Sequence, residues 1–200
     1  SGHAKGEHGY GSLVRGGHGA RMTFHHNLWA AHRARMPRPG NYNPPSVDPE
    51  GPRIEFRSNV FYDWSGGHAG YNADTESRSA YAFIGNAYIP GPDTAGRWAF
   101  EESNPLARAW FEGNTMDGSL PADPWSLVKD SDRPDYRLGA RPDWAEAAGE
   151  TRARAGRRRR RQSERHVSGQ ELCEAARLYG LQQYGYLAPK VLSVWGIRQT

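Results

Sequence analysis

The chain has 200 residues, enough for one domain with a real core or one domain and a small appendage; its 24 glycines, 14 prolines and 36% hydrophobic content exclude a helical bundle. Its net charge of +4 is uneven, because residues 151–200 hold 11 of the 26 Lys+Arg and 3 of the 22 Asp+Glu, so the first 150 residues are net acidic and call for no nucleic-acid partner. Cys173 is the only cysteine, which excludes an internal disulfide and a cysteine-built zinc site; no stretch approaches the roughly 18 apolar residues of a membrane span, and the first residues do not resemble a signal peptide.

In chain order, one short pattern recurs four times: residues 22–28 (MTFHHNL), 54–60 (IEFRSNV), 81–87 (YAFIGNA) and 109–115 (AWFEGNT). Each has a Phe three residues before an Asn, and the spacings from Asn27 to Asn59, Asn86 and Asn114 are 32, 27 and 28 residues. A near-constant period of this length is the signature of a repeat architecture. Apolar and aromatic residues alternate on either side of each Asn, which reads as strand, tight bend, strand. Asparagine tolerates the left-handed conformation of a bend, and its amide can bond donor to acceptor with the next coil, so Asn27, Asn59, Asn86 and Asn114 are expected to form a ladder. Helical repeats of similar period need long amphipathic runs that this Gly and Pro density forbids, which leaves an all-β parallel β-helix ahead of a propeller. The segments 34–53, 64–79 and 90–108 between units are long enough to project from one side and build a site.

Three stretches carry more specific information: residues 8–17 (HGYGSLVRGG), 23–30 (TFHHNLWA) and 35–42 (RMPRPGNY). In order and spacing they resemble the core of the family 1 pectate lyases, and the similarity continues through 56–64 (FRSNVFYDW) and 69–74 (AGYNAD) to about Gly118. The resemblance implies a right-handed, single-stranded parallel β-helix that cleaves polygalacturonate by β-elimination. It makes Arg35 the proposed Brønsted base and Arg38 a fork for a galacturonate carboxylate. Arginine is an unusual base, but the proton to be removed lies α to a carboxylate and is only weakly acidic, so a strong base and nearby cations lower the barrier to a carbanion-like state. Related sequences often carry a further Arg two positions after Arg38, where this chain has Gly40. Lys5, with Arg15 as the alternative, is expected to supply another cation for the substrate, and Tyr71 and Asn72, with Asp74 nearby, to contact sugar hydroxyls. His25 and His26 are adjacent on a strand, point to opposite faces and should not converge on one ion.

The resemblance also implies calcium as cofactor, held by carboxylates on coils upstream of residue 1, so that the metal ligands are not named in this chain. It implies an acidic polysaccharide, polygalacturonate or pectin, as partner, an extracellular location, and a monomer with no nucleic acid or membrane partner. Two other readings compete: a catalytically inactive β-helix fragment that at most binds acidic polysaccharide, and a nucleic-acid-binding protein acting through its arginine run.

The sequence divides into a β-helix fragment over 1–148, an Arg-rich disordered linker over 149–165 and a helical tail over 166–200. Residues 122–127 (ADPWSL) and 141–146 (RPDWAE) should pack along the solenoid exterior. Thr151 to Arg165 has no apolar face. Ser168 to Glu171 forms a capping box before Leu172, Ala175, Ala176 and Tyr179 at helical spacing, and 187–195 reads as a second helix. Parts of 165–197 are similar to an uncharacterised small bacterial domain, so the chain reads as a lyase truncated at its start and joined to an unrelated partial sequence.

Overall fold

Each of the four repeated motifs forms two strands joined at a bend, and a third short strand completes the coil. The first coil holds β1 (Leu13–Arg15), β2 (Arg21–His25) and β3 (Leu28–His32), and the second β4 (Arg38–Gly40), β5 (Arg53–Arg57) and β6 (Val60–Trp64). The third holds β7 (His68–Asn72), β8 (Ser79–Ile84) and β9 (Ala87–Ile89), and the fourth β10 (Trp98–Glu102), β11 (Ala107–Glu112) and β12 (Thr115–Met116). A 3-10 turn at Pro124–Leu127 leads to β13 (Val128–Lys129). This computed structural model describes residues 9–129, 132–133 and 135–145, and the expectations for Lys5, the arginine-rich segment and the helical tail lie outside them.

All pairing between these strands is parallel, in the orders β2-β5-β8-β11 and β3-β6-β9-β12, with a third side made of β1-β4 and β7-β10-β13. The expected parallel β-helix is therefore present as a solenoid of about four coils. Because the coils are stacked in register, equivalent residues stand over one another. Phe24, Phe56, Phe83 and Phe111 form an internal column with ring centroids 5.4, 5.0 and 4.6 Å apart. Trp29, Phe61 and Tyr88 form a second column at 5.0 and 4.8 Å. Each fully buried aromatic ring contributes on the order of 2–3 kcal/mol by leaving water, and the columns place that gain where consecutive coils must stack. Beyond the coils, Trp144 packs on the cluster of Ala82 and Ile84, whereas Trp125 does not lie along the exterior but packs on Phe111, the last ring of the internal column, and on Tyr136. Among the described residues no helix is long and apolar enough to cross a membrane.

The four asparagines stack at one corner. The backbone N–H and side-chain Nδ2 of Asn27 donate to Asn59 Oδ1 at 3.0 and 3.1 Å, and the same double contact links Asn59 to Asn86 and Asn86 to Asn114. The remaining Nδ2 proton reaches a Phe carbonyl, Phe24 for Asn59, Phe56 for Asn86 and Phe83 for Asn114. The left-handed residue of the bend is not the asparagine but its predecessor: His26, Ser58, Gly85 and Gly113 have φ of 55, 51, 60 and 63°. The asparagine is chosen for its amide alone, and its predecessor meets the conformational demand.

Candidate active site

The third side of the solenoid is interrupted. Pro37 and Pro39 flank Arg38 and have no N–H to donate, so β4 pairs in register with β1 but not with β7. Two single bonds bridge the gap, Met36 N–H to the Ala69 carbonyl at 2.9 Å and Tyr71 N–H to the Pro37 carbonyl at 3.1 Å. The backbone here is drawn in closely from both sides. A Cβ on Gly70 would stand 2.6 Å from the Pro37 oxygen, and one on Gly11 would stand 2.5 Å from the Arg35 oxygen. Arg35 itself has φ of 63°, a conformation that costs a non-glycine residue on the order of 1–2 kcal/mol. The clamp between Gly11 and Gly70 holds it there, with Ser12 N–H on the Arg35 carbonyl at 2.7 Å.

Three arginines and three tyrosines meet at this interruption. The Arg35 guanidinium lies 4.2 Å from the centre of the Tyr10 ring, that of Arg38 5.1 Å from Tyr71, and that of Arg15 4.0 Å from Tyr42. The row is cross-linked: Arg35 Nε donates to Tyr71 Oη at 3.3 Å, and buried Asp74 accepts from Arg15 Nη1 through Oδ2 and from Arg38 Nη2 through Oδ1, the latter at 3.4 Å. The Asn41 N–H also donates to Asp74 Oδ2, at 3.1 Å. A buried carboxylate is tolerated because two guanidinium groups and an N–H surround it. Two of the three cations thus share one carboxylate while Arg35 is held on Tyr71, so the row keeps a net positive charge. Arg15 Nε and Nη2 and Arg38 Nε have no acceptor among the described residues.

The loop that carries Tyr42 is held by a second buried carboxylate. Asp48 accepts from Asn41 Nδ2 at 2.7 Å and from the N–H groups of His18, Glu50 and Gly51. Burial pushes its carboxyl up, but the N–H donors of Gly51, His18 and Glu50 outweigh that and hold it below its ordinary value. On the other side of the row, His68 stacks beside Tyr71 at 5.0 Å and its Nδ1 lies 2.8 Å from Glu101 Oε2, which also meets Lys129 Nζ at 3.2 Å. Glu101 is therefore paired with His68 and Lys129.

The structure brings Arg35, Arg38 and Tyr71 together and adds Arg15, the alternative to Lys5. Asn72 does not face the groove: it is fully buried, its Nδ2 donates to Tyr81 Oη at 2.9 Å, and its Oδ1 accepts the Asp74 N–H at 3.0 Å. It shapes the turn that presents Asp74. His25 and His26 do not point to opposite faces but meet, with Nδ1 atoms 3.0 Å apart, because His26 has the left-handed φ of the bend and the strand alternation stops there. Burial, His25 and Arg57 hold the His26 imidazole below its ordinary value. Tyr10 and Tyr42 were missed; the signal available was their position inside the stretches 8–17 and 35–42 themselves. Among the described residues no three His, Cys, Asp or Glu are grouped to hold a metal ion, so these residues do not fit a calcium cage.

A parallel β-solenoid with a cationic, tyrosine-lined break in one face is thus the class defined by fold and site. Its sequence is similar to that of fungal pectate lyases. The chain is 32% identical over 111 residues to a probable pectate lyase C of Aspergillus terreus, 30% over 110 residues to that of Aspergillus flavus and 28% over 110 residues to that of Neosartorya fischeri. Each match covers 55% of this chain and 23% of the relative, so the chain carries a pectate lyase-like segment that spans about a quarter of the length of those proteins. No family model and no solved structure matches the chain.

Proposed function

We propose that the arginine row binds an acidic polysaccharide of the polygalacturonate type and cleaves it by β-elimination. The observation that carries this reading is the row itself: three guanidinium groups, each stacked on a tyrosine, two of them sharing the Asp74 carboxylate and the third bonded to Tyr71 Oη. Guanidinium forks match uronate carboxylates, and aromatic faces match the C–H faces of sugar rings, so the alternation suits a polymer that presents both at every residue. Arg38 binds the carboxylate of the reacting uronate and draws charge from it. Arg35, fixed through Tyr71 Oη and the Tyr10 ring, acts as the neutral guanidine: it takes the proton α to that carboxylate and becomes guanidinium. The electron pair left behind forms the double bond as the bond to the 4-linked oxygen breaks, that oxygen takes a proton from water, and the Arg35 guanidinium returns its proton to solvent. Calcium enters this proposal only as an ion that neutralises uronate carboxylates, held by groups outside the described residues. Such a polymer places the working protein outside the cell.

A second reading is binding without cleavage, favoured by the lack, among the described residues, of a carboxylate cluster for a metal. The two separate in one assay, the ultraviolet absorbance of an unsaturated uronide formed from polygalacturonate. A rise abolished by EDTA supports elimination; polymer retention without any rise supports the binding-only reading.

A further inference from the structure

Two coils approach each other most closely in the arginine row at Gly40. It has φ of 153°, and the space its Cβ would take is filled by the Asp74 carboxylate and by Nη1 of Arg15, reaching over from the neighbouring coil through the Arg15↔Gly40 pairing of β1 and β4. The missing side chain at position 40 is what admits the Arg15 guanidinium beside Arg38. Asp74 then holds both by its two oxygens, so the two forks are fixed relative to each other. On the far side of Arg15 stands Tyr42. One face of its ring is covered by the guanidinium and 64% of its surface is exposed, whereas its neighbours Gly40 and Asn41 are buried. A large ring in that state is costly to leave in water, and it is anchored rather than swinging, because Asn41 is tied to Asp48 and Asp74.

We propose that Arg15 and Tyr42 form a uronate-binding subsite adjoining the one at Arg38. The open face of Tyr42 takes the C–H face of a sugar ring, and Arg15, held on Asp74 with 18% of its side chain exposed, fixes that ring from behind and places a positive charge beside the carboxylate the sugar carries. The inference rests on the functional reading above and adds to it a residue pair and a minimum ligand length, because a galacturonate oligomer must be long enough to cover both subsites.

The test uses the full chain and two galacturonate oligomers, a dimer and a hexamer, with a neutral galactan as control. Affinity is measured by calorimetry and turnover by ultraviolet absorbance. For Tyr42→Ala the account expects hexamer affinity to fall about tenfold and KM to rise with it, kcat to stay within about twofold, and dimer affinity to change little. Tyr42→Phe should retain wild-type affinity, and Arg15→Lys, which keeps the charge and loses the planar stack, should fall between. Hexamer affinity unchanged in Tyr42→Ala, in a chain that binds the hexamer and not the galactan, overturns the subsite and leaves the functional reading standing. Failure of the unaltered chain to bind either oligomer overturns both.

Discussion

Arg38 and Asp74 lie 36 residues apart in sequence, on consecutive coils, and Arg38 Nη2 donates to Asp74 Oδ1 at 3.4 Å. This pair converts an arginine between two prolines into a fixed fork, because Asp74 is itself held by the Asn41 N–H and by Arg15. The bend at Pro37-Arg38-Pro39 sets where Arg38 leaves the backbone, and Asp74 sets where it ends.

Asp74→Asn keeps the shape and removes the charge. The account expects it to destabilise the fold by about 1–3 kcal/mol, since two guanidinium groups lose a charged acceptor. It should also weaken binding of galacturonate oligomers relative to Asn72→Ser, a variant in the same turn that touches no arginine. Thermal unfolding and calorimetry read the two effects separately, and equal binding losses in both variants would assign Asp74 a structural role only.

The asparagine ladder predicts an unequal pair. Asn86 is buried and bonded to Asn59, Asn114 and the Phe56 carbonyl, so Asn86→Ala leaves several buried groups unsatisfied and should cost about 3 kcal/mol. Asn27 is exposed and, among the described residues, its side chain bonds to Asn59 alone, so Asn27→Ala should cost about 1 kcal/mol or less. Urea midpoints for the two variants check the order.

Ser58→Gly should stabilise the fold by up to about 1 kcal/mol, because Ser58 occupies a left-handed bend position that Gly85 and Gly113 fill without steric cost. A drop in melting temperature would contradict the assignment of that position to the bend.

Stability should also depend on pH in two steps. Burial holds the half-buried His32 imidazole below its ordinary value of 6.5, so the unfolded chain takes up a proton first, and stability falls as pH drops from about 6.5 through the lower folded value. Asp48 is shifted down from 3.8, so its contribution is complete above that value and is lost as pH falls through the depressed folded one. Denaturant unfolding across this range should show both limbs, with His32→Gln shrinking the first, to which His26 also contributes, and Asp48→Asn removing the second.

The solenoid was legible because its signal is repeated. The Phe and Asn of each motif recur at one spacing, and Phe56 and Asn59 find their partners in Phe24, Phe83, Asn27 and Asn86 by register alone. Arg35, Arg38 and Tyr71 were legible as candidates through the stretch 35–42 and the segment 69–74. What the sequence did not give was which side chains turn inward. Asn72 and Tyr71 are neighbours on β7, and strand alternation alone puts one inside and one outside without saying which. Arg15 and Tyr42 join only through the β1-β4 pairing and the empty Cβ position of Gly40, a contact between coils that no local pattern announces. The His25–His26 contact escaped for a related reason, since a bend residue with positive φ breaks the alternation on which the inference rested.

The central claim is that Arg35 removes a proton rather than merely binding charge, and the most direct test measures turnover and binding of galacturonate hexamer together in Arg35→Ala and Arg35→Lys. The account predicts that both variants lose turnover by on the order of 10²-fold to 10⁴-fold while Arg35→Lys keeps hexamer affinity within about threefold of the unaltered chain. Turnover that survives in Arg35→Lys in proportion to its affinity would contradict it, and would leave Arg35 as one more cation in the row.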